Sequence, residues 1–314
     1  MKTFALTSMH CKVILTALIL TLHAQAASAW SRPGHMVVAA IAYDELAAHD
    51  PQVLAKIDEI MSKHPDHAVF EVAGGSRNDT RARKVFLEMA RWADDVRGTP
   101  FDHPTWHYAG RPVIDKRKPP SPLPPDAASG AAMEAYALNL RVAGFKGASP
   151  AERAVALCWV FHLVGDIHQP LHMADQHSAA LAKGDQGGNL QFIRDPRSGA
   201  FLNLHSFWDG IVRGSGDAAD AIEQGASLAA RYPRSQFKQL KKTAPVAADV
   251  AAWAKESYDI AQKVVYRSDL ATGPTQQEGK TLPKAYIAEA TTAGERQVVL
   301  AGYRLADVLG AMFP

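Results

Sequence analysis

The stretch VFHLVGDIHQPLH, residues 160–172, constrains the fold more than any other part of the chain. Its apolar residues predict a buried helix, yet they are interrupted by His162, Asp166, His168 and His172. Burying an imidazole or a carboxylate costs several kcal/mol unless a partner compensates. This helix can therefore lie in a core only if other groups, or a bound cation, satisfy the polar side chains.

The remaining sequence is also mostly helical in pattern. Apolar residues recur at spacings of three and four, and the predicted helices cover 35–48, 53–63, 81–96, 128–145, 218–230, 246–266 and 294–312. Ser149-Pro150-Ala151-Glu152 fits a helix start with proline in the first turn. That helix carries the opening stretch and should end near Pro170.

Two strands and two loops complete the prediction. LQFIRD and FLNLH flank PRSG and predict a short β-hairpin. The proline-rich segment 116–125 and the polar segment 173–189 should be loops. With no internal repeat and no linker in the sequence, we expect an all-α fold: one compact domain over residues 30–314, with a minor hairpin.

Residues 1–29 have the pattern of an export signal. Lys2 and Lys12 precede an apolar run, and Ala27-Ser28-Ala29 fits an A-x-A cleavage site. The run of about 10 residues is too short to span a bilayer, and no later stretch reaches about 18 uninterrupted apolar residues. We expect a secreted or periplasmic protein that begins at Trp30 and has no membrane anchor.

Charge and cysteine content limit how this chain can attract a polyanion and how its fold can be stabilised. The chain has 34 basic and 32 acidic residues, and loss of Lys2 and Lys12 with the signal would leave equal numbers. Attraction for a polyanion must then be local. Cys158 is the one cysteine outside the predicted signal, so disulfides cannot hold this fold together. Zero net charge and the lack of an interface motif favour a monomer.

Histidine and aspartate spacing predicts a metal site. Residues four apart share a helix face, and His162–Asp166 and His205–Asp209 have that spacing. Imidazole nitrogens and carboxylate oxygens are zinc ligands, and an exposed terminal amine can also bind zinc once neutral. Further candidates are His35, Asp94, Asp95, His107, His172 and the amine and carbonyl of Trp30.

Other interpretations remain open at this point. A single histidine on an apolar helix face is more often a hydrogen-bonded core residue than a ligand. The sequence has no HExxH, GxSxG or phosphate-binding glycine loop. An ordinary metallopeptidase or serine hydrolase therefore has no support.

The order of these motifs resembles the S1/P1 zinc-dependent nucleases, secreted single-strand-specific endonucleases with 3′-nucleotidase activity. The resemblance runs from Trp30 to Asp209, through WADD, GDIHQPLH, GGN and HSFWD. It implies a mostly helical fold with three zinc ions. One zinc would be held by Asp94, His107, His162 and Asp166, a second by His172, His205 and Asp209, and a third by Trp30, His35 and the other oxygen of Asp166. His168 has no ligand role in that pattern, and we expect it to be structural.

The resemblance also implies a reaction. Single-stranded DNA, RNA and 3′-nucleotides would be hydrolysed by a zinc-bound hydroxide, with 5′-phosphorylated products from the polymers. Asp94 and Asp166 would be the catalytic carboxylates, and Arg97 would neutralise charge in the transition state. A helix-end residue on the surface is the alternative for Arg97.

Base recognition follows less directly from the sequence. The resemblance implies that Tyr108 stacks on a base and that Asn189 and Gly188 contact it. Core packing for Tyr108 and a simple turn at Gly188 are the alternatives. Gly110 stands where some members carry an aspartate, which leaves base preference open.

Two rival functions stay in view. A zinc-dependent phospholipase C resembles the same pattern, but typically has a glutamate ligand where this chain has Asp209. A non-catalytic zinc-binding protein is the other. Closed structural zinc sites use four protein ligands, whereas His172, His205 and Asp209 provide three and leave room for water.

Overall fold

A computed structural model describes residues 30–74, 78–241 and 249–314. The predicted export signal and the first residues of the helix predicted at 246–266 lie outside the described residues. The α-helices are α1 (Arg32–His49), α2 (Pro51–Met61), α3 (His67–Gly74), α4 (Asn78–Asp95), α5 (Ala132–Gly144), α6 (Pro150–Ile167), α7 (Leu204–Asp209), α8 (Ala218–Arg231), α9 (Val250–Ile260) and α10 (Lys284–Met312). Short 3₁₀ turns cover Pro104–His107, Pro170–His172, Arg234–Gln236, Lys238–Lys241 and Gln276–Glu278, and a π turn covers Ala261–Val265.

The mostly helical prediction is confirmed, with helix α6 at the centre of the described part. It packs against α1, α4, α5 and α10. Its start is the predicted cap, because Ser149 Oγ accepts from Glu152 N at 3.2 Å and Glu152 Oε2 accepts from Ser149 N at 2.9 Å. It ends at Ile167, ahead of Pro170, as expected. Its second half is buried all round, so its polar residues face protein on every side.

The predicted hairpin is confirmed. Strands β4 (Phe192–Arg194) and β5 (Phe201–Asn203) pair antiparallel, and β6 (Lys280–Thr281) adds parallel to β4. The segment FLNLH is divided, however, because Asn203 Oδ1 accepts from Ser206 N at 2.7 Å and starts α7. His205 is therefore on a helix, at the spacing from Asp209 that the sequence predicted.

A second sheet was not predicted. Strand β1 (Ala109–Ile114) pairs antiparallel with β2 (Ser129–Gly130) and parallel with β3 (Ala174–His177). The segment predicted as a loop at 173–189 thus contains a strand, and the helix predicted at 128–145 starts only at Ala132. Neither β2 nor β3 has the alternation of apolar and polar residues that marks a strand in a sequence.

The last two helices also differ from the prediction. The described part of the segment predicted at 246–266 is α9 followed by the π turn. Helix α10 begins at Lys284 rather than near residue 294. No described helix combines the length and the apolar character needed to cross a bilayer.

The C-terminal end of α6 is fastened to α9 and α10. Ser257 Oγ donates to Ile167 O at 2.6 Å, and Gln297 Nε2 donates to His168 O at 3.1 Å. Arg304 Nη1 lies 2.8 Å from His168 Nε2, while His168 Nδ1 lies 2.7 Å from Val164 O. His168 is fully buried by these contacts, which satisfy both ring nitrogens and fix the end of the helix that carries Asp166.

Candidate metal centre

Three groups of histidine and aspartate converge in the interior. Within each group one ligand atom per residue lies within 4.8 Å of the others. The groups are His35, Asp94 and His162; His107, His162 and Asp166; and His172, His205 and Asp209. All of these residues are buried.

The carboxylate of Asp166 lies where the groups meet. Its Oδ2 is 3.2 Å from His107 Nδ1 and 3.2 Å from His162 Nε2. Its Oδ1 is 3.5 Å from His35 Nε2 and 3.5 Å from His172 Nδ1. The two oxygens of one side chain therefore face two different pairs of histidines.

Helices α1 and α6 approach closely at this point. The ring of His35 stacks on that of His162, with centroids 3.9 Å apart. A Cβ on Gly165 would lie only 2.7 Å from His35 Nδ1. Glycine beside Asp166 is thus what lets the His35 ring lie against α6.

Helix α4 contributes Asp94 to the cluster. Arg97 lies just after the end of this helix. Asp94 Oδ1 lies 4.0 Å from His162 Nε2 and accepts from Arg97 Nη2 at 2.9 Å. Asp95, an alternative ligand on sequence grounds, instead pairs with Arg32 and Arg91 at the surface. The helix therefore turns Asp94 inward and Asp95 outward.

The third group combines a turn and a short helix. His172 lies in the 3₁₀ turn after α6, and its ring stacks with that of His205 at 5.1 Å between centroids. On α7, His205 Nε2 lies 3.3 Å from Asp209 Oδ2. Because His172 also approaches Asp166, the third group adjoins the other two.

Backbone carbonyls fix the orientation of three histidines. The Nδ1 atoms of His162, His172 and His205 lie 2.8, 2.6 and 2.7 Å from the carbonyl oxygens of Ala90, His107 and Gly187. A carbonyl oxygen can only accept, so each Nδ1 carries its hydrogen. Outer hydrogen bonds of this kind are typical of metal-ligating histidines, because they leave Nε2 as the ligand atom.

Several buried polar atoms in this cluster have no hydrogen-bond partner within the part of the chain that the structure describes. They are both ring nitrogens of His35, Nε2 of His107, Nε2 of His172, Oδ2 of Asp94 and Oδ1 of Asp166. Buried polar groups without partners are rare and destabilising. A divalent cation would satisfy them, and a nitrogen and oxygen ligand set of this composition fits zinc.

The electrostatics of the cluster also favour positive charge beside Asp166. Burial alone would lower the pKa of His162, but the charges of Asp166 and Asp94 outweigh it and raise that pKa to about 9. Burial opposes ionisation of Asp166, yet the His162 charge and the hydrogen bonds from His107 and His162 hold its pKa well below the usual range. Asp166 is therefore ionised, which is the form of a carboxyl group that binds metal.

In the third group, burial disfavours the charged forms of His172 and Asp209. Burial lowers the pKa of His172 to about 3, so the ring is neutral near pH 7. Burial also raises the pKa of the Asp209 carboxyl well above its usual value, although a hydrogen bond from Gln169 opposes that shift. A cation at this group would favour the ionised carboxylate, because metal binding and proton loss are coupled.

Trp30 lies beside the third group. Its side chain is fully buried, and Ser31 N donates to Asp209 O at 3.1 Å. A Cβ on Gly34 would lie 2.9 Å from Trp30 Cβ, so the first turn of α1 folds tightly over this residue. The Trp30–Ser31 peptide is thus held against α7.

Tyr108 borders the cluster as its most exposed predicted residue. It follows His107 and is 38% exposed. A Cβ on Gly130 would lie 2.6 Å from Tyr108 Cδ2 and 2.2 Å from Tyr108 O. One side of the tyrosine therefore packs on glycine backbone, while another part of the residue is open to solvent.

Gly188 and Asn189 belong to a turn next to α7. Gly187 and Gly188 both have left-handed backbone, at φ 62° and 84°, which favours glycine. Asn189 Nδ2 donates to Gln186 O at 2.8 Å, and its Oδ1 accepts from Asn203 Nδ2 at 3.1 Å. The structure fixes the orientation of this amide, and Gly188 lies against the start of α7.

Two residues at the centre of the ligand cluster were not predicted from the sequence. Gln169 donates to Asp209, and Gly165 makes room for His35. Both lie inside GDIHQPLH, so their position beside known ligand types was the available signal. The carbonyl of Ala90 had no signal at all, since any residue supplies one.

The sequence matches one known protein family and is similar to individual plant proteins. The family described as S1/P1 Nuclease matches residues 30–314. Endonuclease 4 of Arabidopsis thaliana is 29% identical over 177 residues, which cover 50% of each chain. Endonuclease 5 of the same plant is 30% identical over 172 residues, which cover 50% of this chain and 51% of the relative. The chain spans about half the length of the curated relatives it matches.

Proposed function

The chain belongs to the S1/P1 nuclease family, and on that premise we propose that it is a zinc-dependent nuclease. It hydrolyses the phosphodiester bonds of single-stranded DNA and RNA to 5′-phosphorylated products, and it removes phosphate from 3′-nucleotides. The endonuclease names of its Arabidopsis relatives support this class of reaction.

The observation that carries the proposal is the position of Asp166. One buried carboxylate approaches histidines from α1, α6 and two 3₁₀ turns. Closely spaced metal ions that share a carboxylate are typical of enzymes that cleave phosphate esters. A purely structural site has no need of three adjoining ligand groups.

Three zinc ions would be held by residues of this chain. Asp94, His107, His162 and Asp166 form one set, His172, His205 and Asp209 a second, and Trp30, His35 and Asp166 a third. When bound, zinc lowers the pKa of a coordinated water and withdraws negative charge from a phosphate. The set that contains Trp30 requires that the mature chain begin at this residue, so that its amine is free.

Arg97 would act on the same phosphate. Its Nη2 donates to Asp94 Oδ1 at 2.9 Å, which holds the guanidinium beside the cluster. Charge that develops on phosphoryl oxygens is stabilised by a cation held in place before the reaction. Asp94 would therefore both bind metal and orient this arginine.

Single-strand preference is supported by Tyr108. Its ring is partly exposed beside His107 and backed by Gly130. A base can stack on such a ring only when it is unpaired, and stacking is worth about 1–3 kcal/mol per base. Asn189 and Gly188 would contact the same base.

The setting of the enzyme is part of the proposal. Residues 1–29 would be removed on export, and the protein would act as a secreted or periplasmic monomer consisting of one domain. Such cleavage would also free the Trp30 amine. Localisation and metal content would thus depend on each other.

A substrate panel tests the proposal. Protein that begins at Trp30 is assayed on single-stranded DNA, RNA, duplex DNA, a 3′-nucleotide and phosphatidylcholine, before and after chelation and zinc readdition. We expect zinc-restored cleavage of both single strands and of the 3′-nucleotide, with slow action on duplex and lipid. Lipid cleavage with inert nucleic acid would instead identify a phospholipase.

A further inference from the structure

We infer that Gln169 is a positioning residue in the third ligand group, which consists of His172, His205 and Asp209, and that it decides which oxygen of Asp209 is free to bind metal. The inference rests on the proposed function, because it concerns a residue next to a metal site. Gln169 is fully buried. It acts through Asp209 and through the turn that carries His172.

Both ends of the Gln169 amide are in use. Its Oε1 accepts from Leu171 N at 2.6 Å, and its Nε2 donates to Asp209 Oδ1 at 2.6 Å. The side chain is fully buried. One amide therefore joins the turn Pro170–His172 to helix α7.

The backbone determines which way this amide points. Leu171 N–H can only donate, so the oxygen of the Gln169 amide must face it. The NH₂ group must then face Asp209, where it requires an acceptor. A flipped amide would place a donor against a donor and an oxygen against a carboxylate.

The two carboxylate oxygens of Asp209 therefore have different partners. Oδ1 is held by Gln169, and Oδ2 lies 3.3 Å from His205 Nε2. Asp209 would thus bind metal through one oxygen, and the third group would keep a coordination position for water or substrate. Outer hydrogen bonds of this type typically change metal affinity by about 10–100-fold when removed.

Gln169 also sets the separation of two ligands. His172 lies three residues after Gln169, in the turn that its Oε1 caps, and Asp209 lies at the other end of the same side chain. Loss of the amide would release both ligands from one another. The third group should therefore lose metal before the other groups do.

Two substitutions separate positioning from packing. Gln169→Met has a side chain of similar length without hydrogen-bond groups. Gln169→Glu keeps the acceptor for Leu171 N but opposes a carboxylate to Asp209. Asn139→Asp is the control, because Asn139 is also buried and its Nδ2 donates to Ala135 O within α5 rather than to a ligand.

The main measurement is bound zinc per chain during titration with a competing chelator, with unfolding followed on the metal-free proteins. We expect both Gln169 variants to lose one zinc at about 10–100-fold lower chelator concentration than wild type. Asn139→Asp should lower stability but keep the wild-type zinc titration. In the kinetics, kcat should fall more than KM rises for the Gln169 variants.

The possible results distinguish this inference from the proposed function. If wild type binds no zinc and cleaves no nucleic acid, the proposed function fails. If wild type does both and Gln169→Met titrates like wild type, the positioning role is wrong while the function stands. Should Gln169→Glu not fold, Gln169→Met alone decides. Equal zinc loss from Asn139→Asp would show that the effect is a general loss of stability and would also overturn the inference.

Discussion

Asp166 Oδ2 lies 3.2 Å from Nε2 of His162, one turn earlier on the same helix. Its other oxygen approaches His35 and His172, which come from different parts of the chain. Spacing along α6 thus creates the first contact, and the tertiary fold creates the others. The carboxylate therefore lies where ligand candidates from α1, α6 and the turn at His172 meet.

Asp166→Asn should remove two zinc ions at once and abolish cleavage. The amide keeps the shape of the carboxylate but loses its charge, and its NH₂ group cannot bind metal. Bound zinc measured by elemental analysis, together with single-strand cleavage, checks this. A variant with the full metal complement and the wild-type rate would contradict the bridging role.

Gly165→Ala should displace His35 while leaving α6 helical. The new methyl group would lie 2.7 Å from His35 Nδ1, which is too close for an unshifted ring. We expect loss of the zinc that we propose at His35, and helicity by circular dichroism close to wild type. The matched control is Gly144→Ala at the end of α5, where a Cβ meets no described atom within 4 Å. Equal zinc content in the two variants would rule out this packing argument.

The sequence predicted the parts of this site that depend on local spacing. His162–Asp166 and His205–Asp209 are one helical turn apart, and both pairs occur as expected on α6 and α7. The cap at Ser149 was equally local and equally predictable. Helical periodicity is the strongest signal that a sequence carries.

What the sequence could not provide depends on contacts between distant segments. The strand at Ala174–His177 exists because β1 lies beside it, and its four residues have no strand pattern of their own. The carbonyl of Ala90 orients His162 across 72 positions in the chain. The role of Gln169 required knowledge of where Asp209 lies, although the residue itself stood in the motif.

A single residue added before Trp30 should remove one zinc selectively. The Trp30–Ser31 peptide is held against α7 by the hydrogen bond from Ser31 N to Asp209 O. An added residue converts the terminal amine into an amide, which does not bind zinc at neutral pH. Mass spectrometry of the native protein compares the two chains. Identical zinc content would refute the terminal-amine ligand.

Tyr108→Ala should weaken binding of single strands more than it slows the reaction. The tyrosine is 38% exposed and its ring packs against Gly130, so it can contact a base without holding a ligand residue in place. Loss of one stacked base corresponds to about 1–3 kcal/mol, or roughly 5–150-fold in KM. Tyr108→Phe is the control and should bind almost as wild type does. Equal effects on KM for an oligonucleotide and for a small phosphodiester without a base would exclude stacking.

The pH dependence of stability should contain a contribution from a carboxyl pair that belongs to none of the three ligand groups. Asp185 is fully buried and accepts hydrogen bonds from Gln191 Nε2 at 2.6 Å and Tyr266 OH at 3.1 Å. Burial, together with a hydrogen bond to Asp175, raises the pKa of Asp185 to about 7. Between its usual value of 3.8 and about 7, the folded protein binds more protons than the unfolded chain. Stability from this pair is therefore present at low pH and lost as the pH rises through about 7.

Asp175→Asn should flatten that loss. The amide removes the neighbouring charge and can donate to Asp185, so ionisation of Asp185 becomes less costly. Denaturant unfolding of chelator-treated protein, compared at about pH 5 and pH 8, should show a decrease that is smaller by about 1–2 kcal/mol than in wild type. Asp126→Asn, which removes an exposed carboxylate paired with Arg111, should leave the wild-type decrease unchanged. The same decrease in Asp175→Asn and wild type would mean that Asp185 does not titrate with this partner.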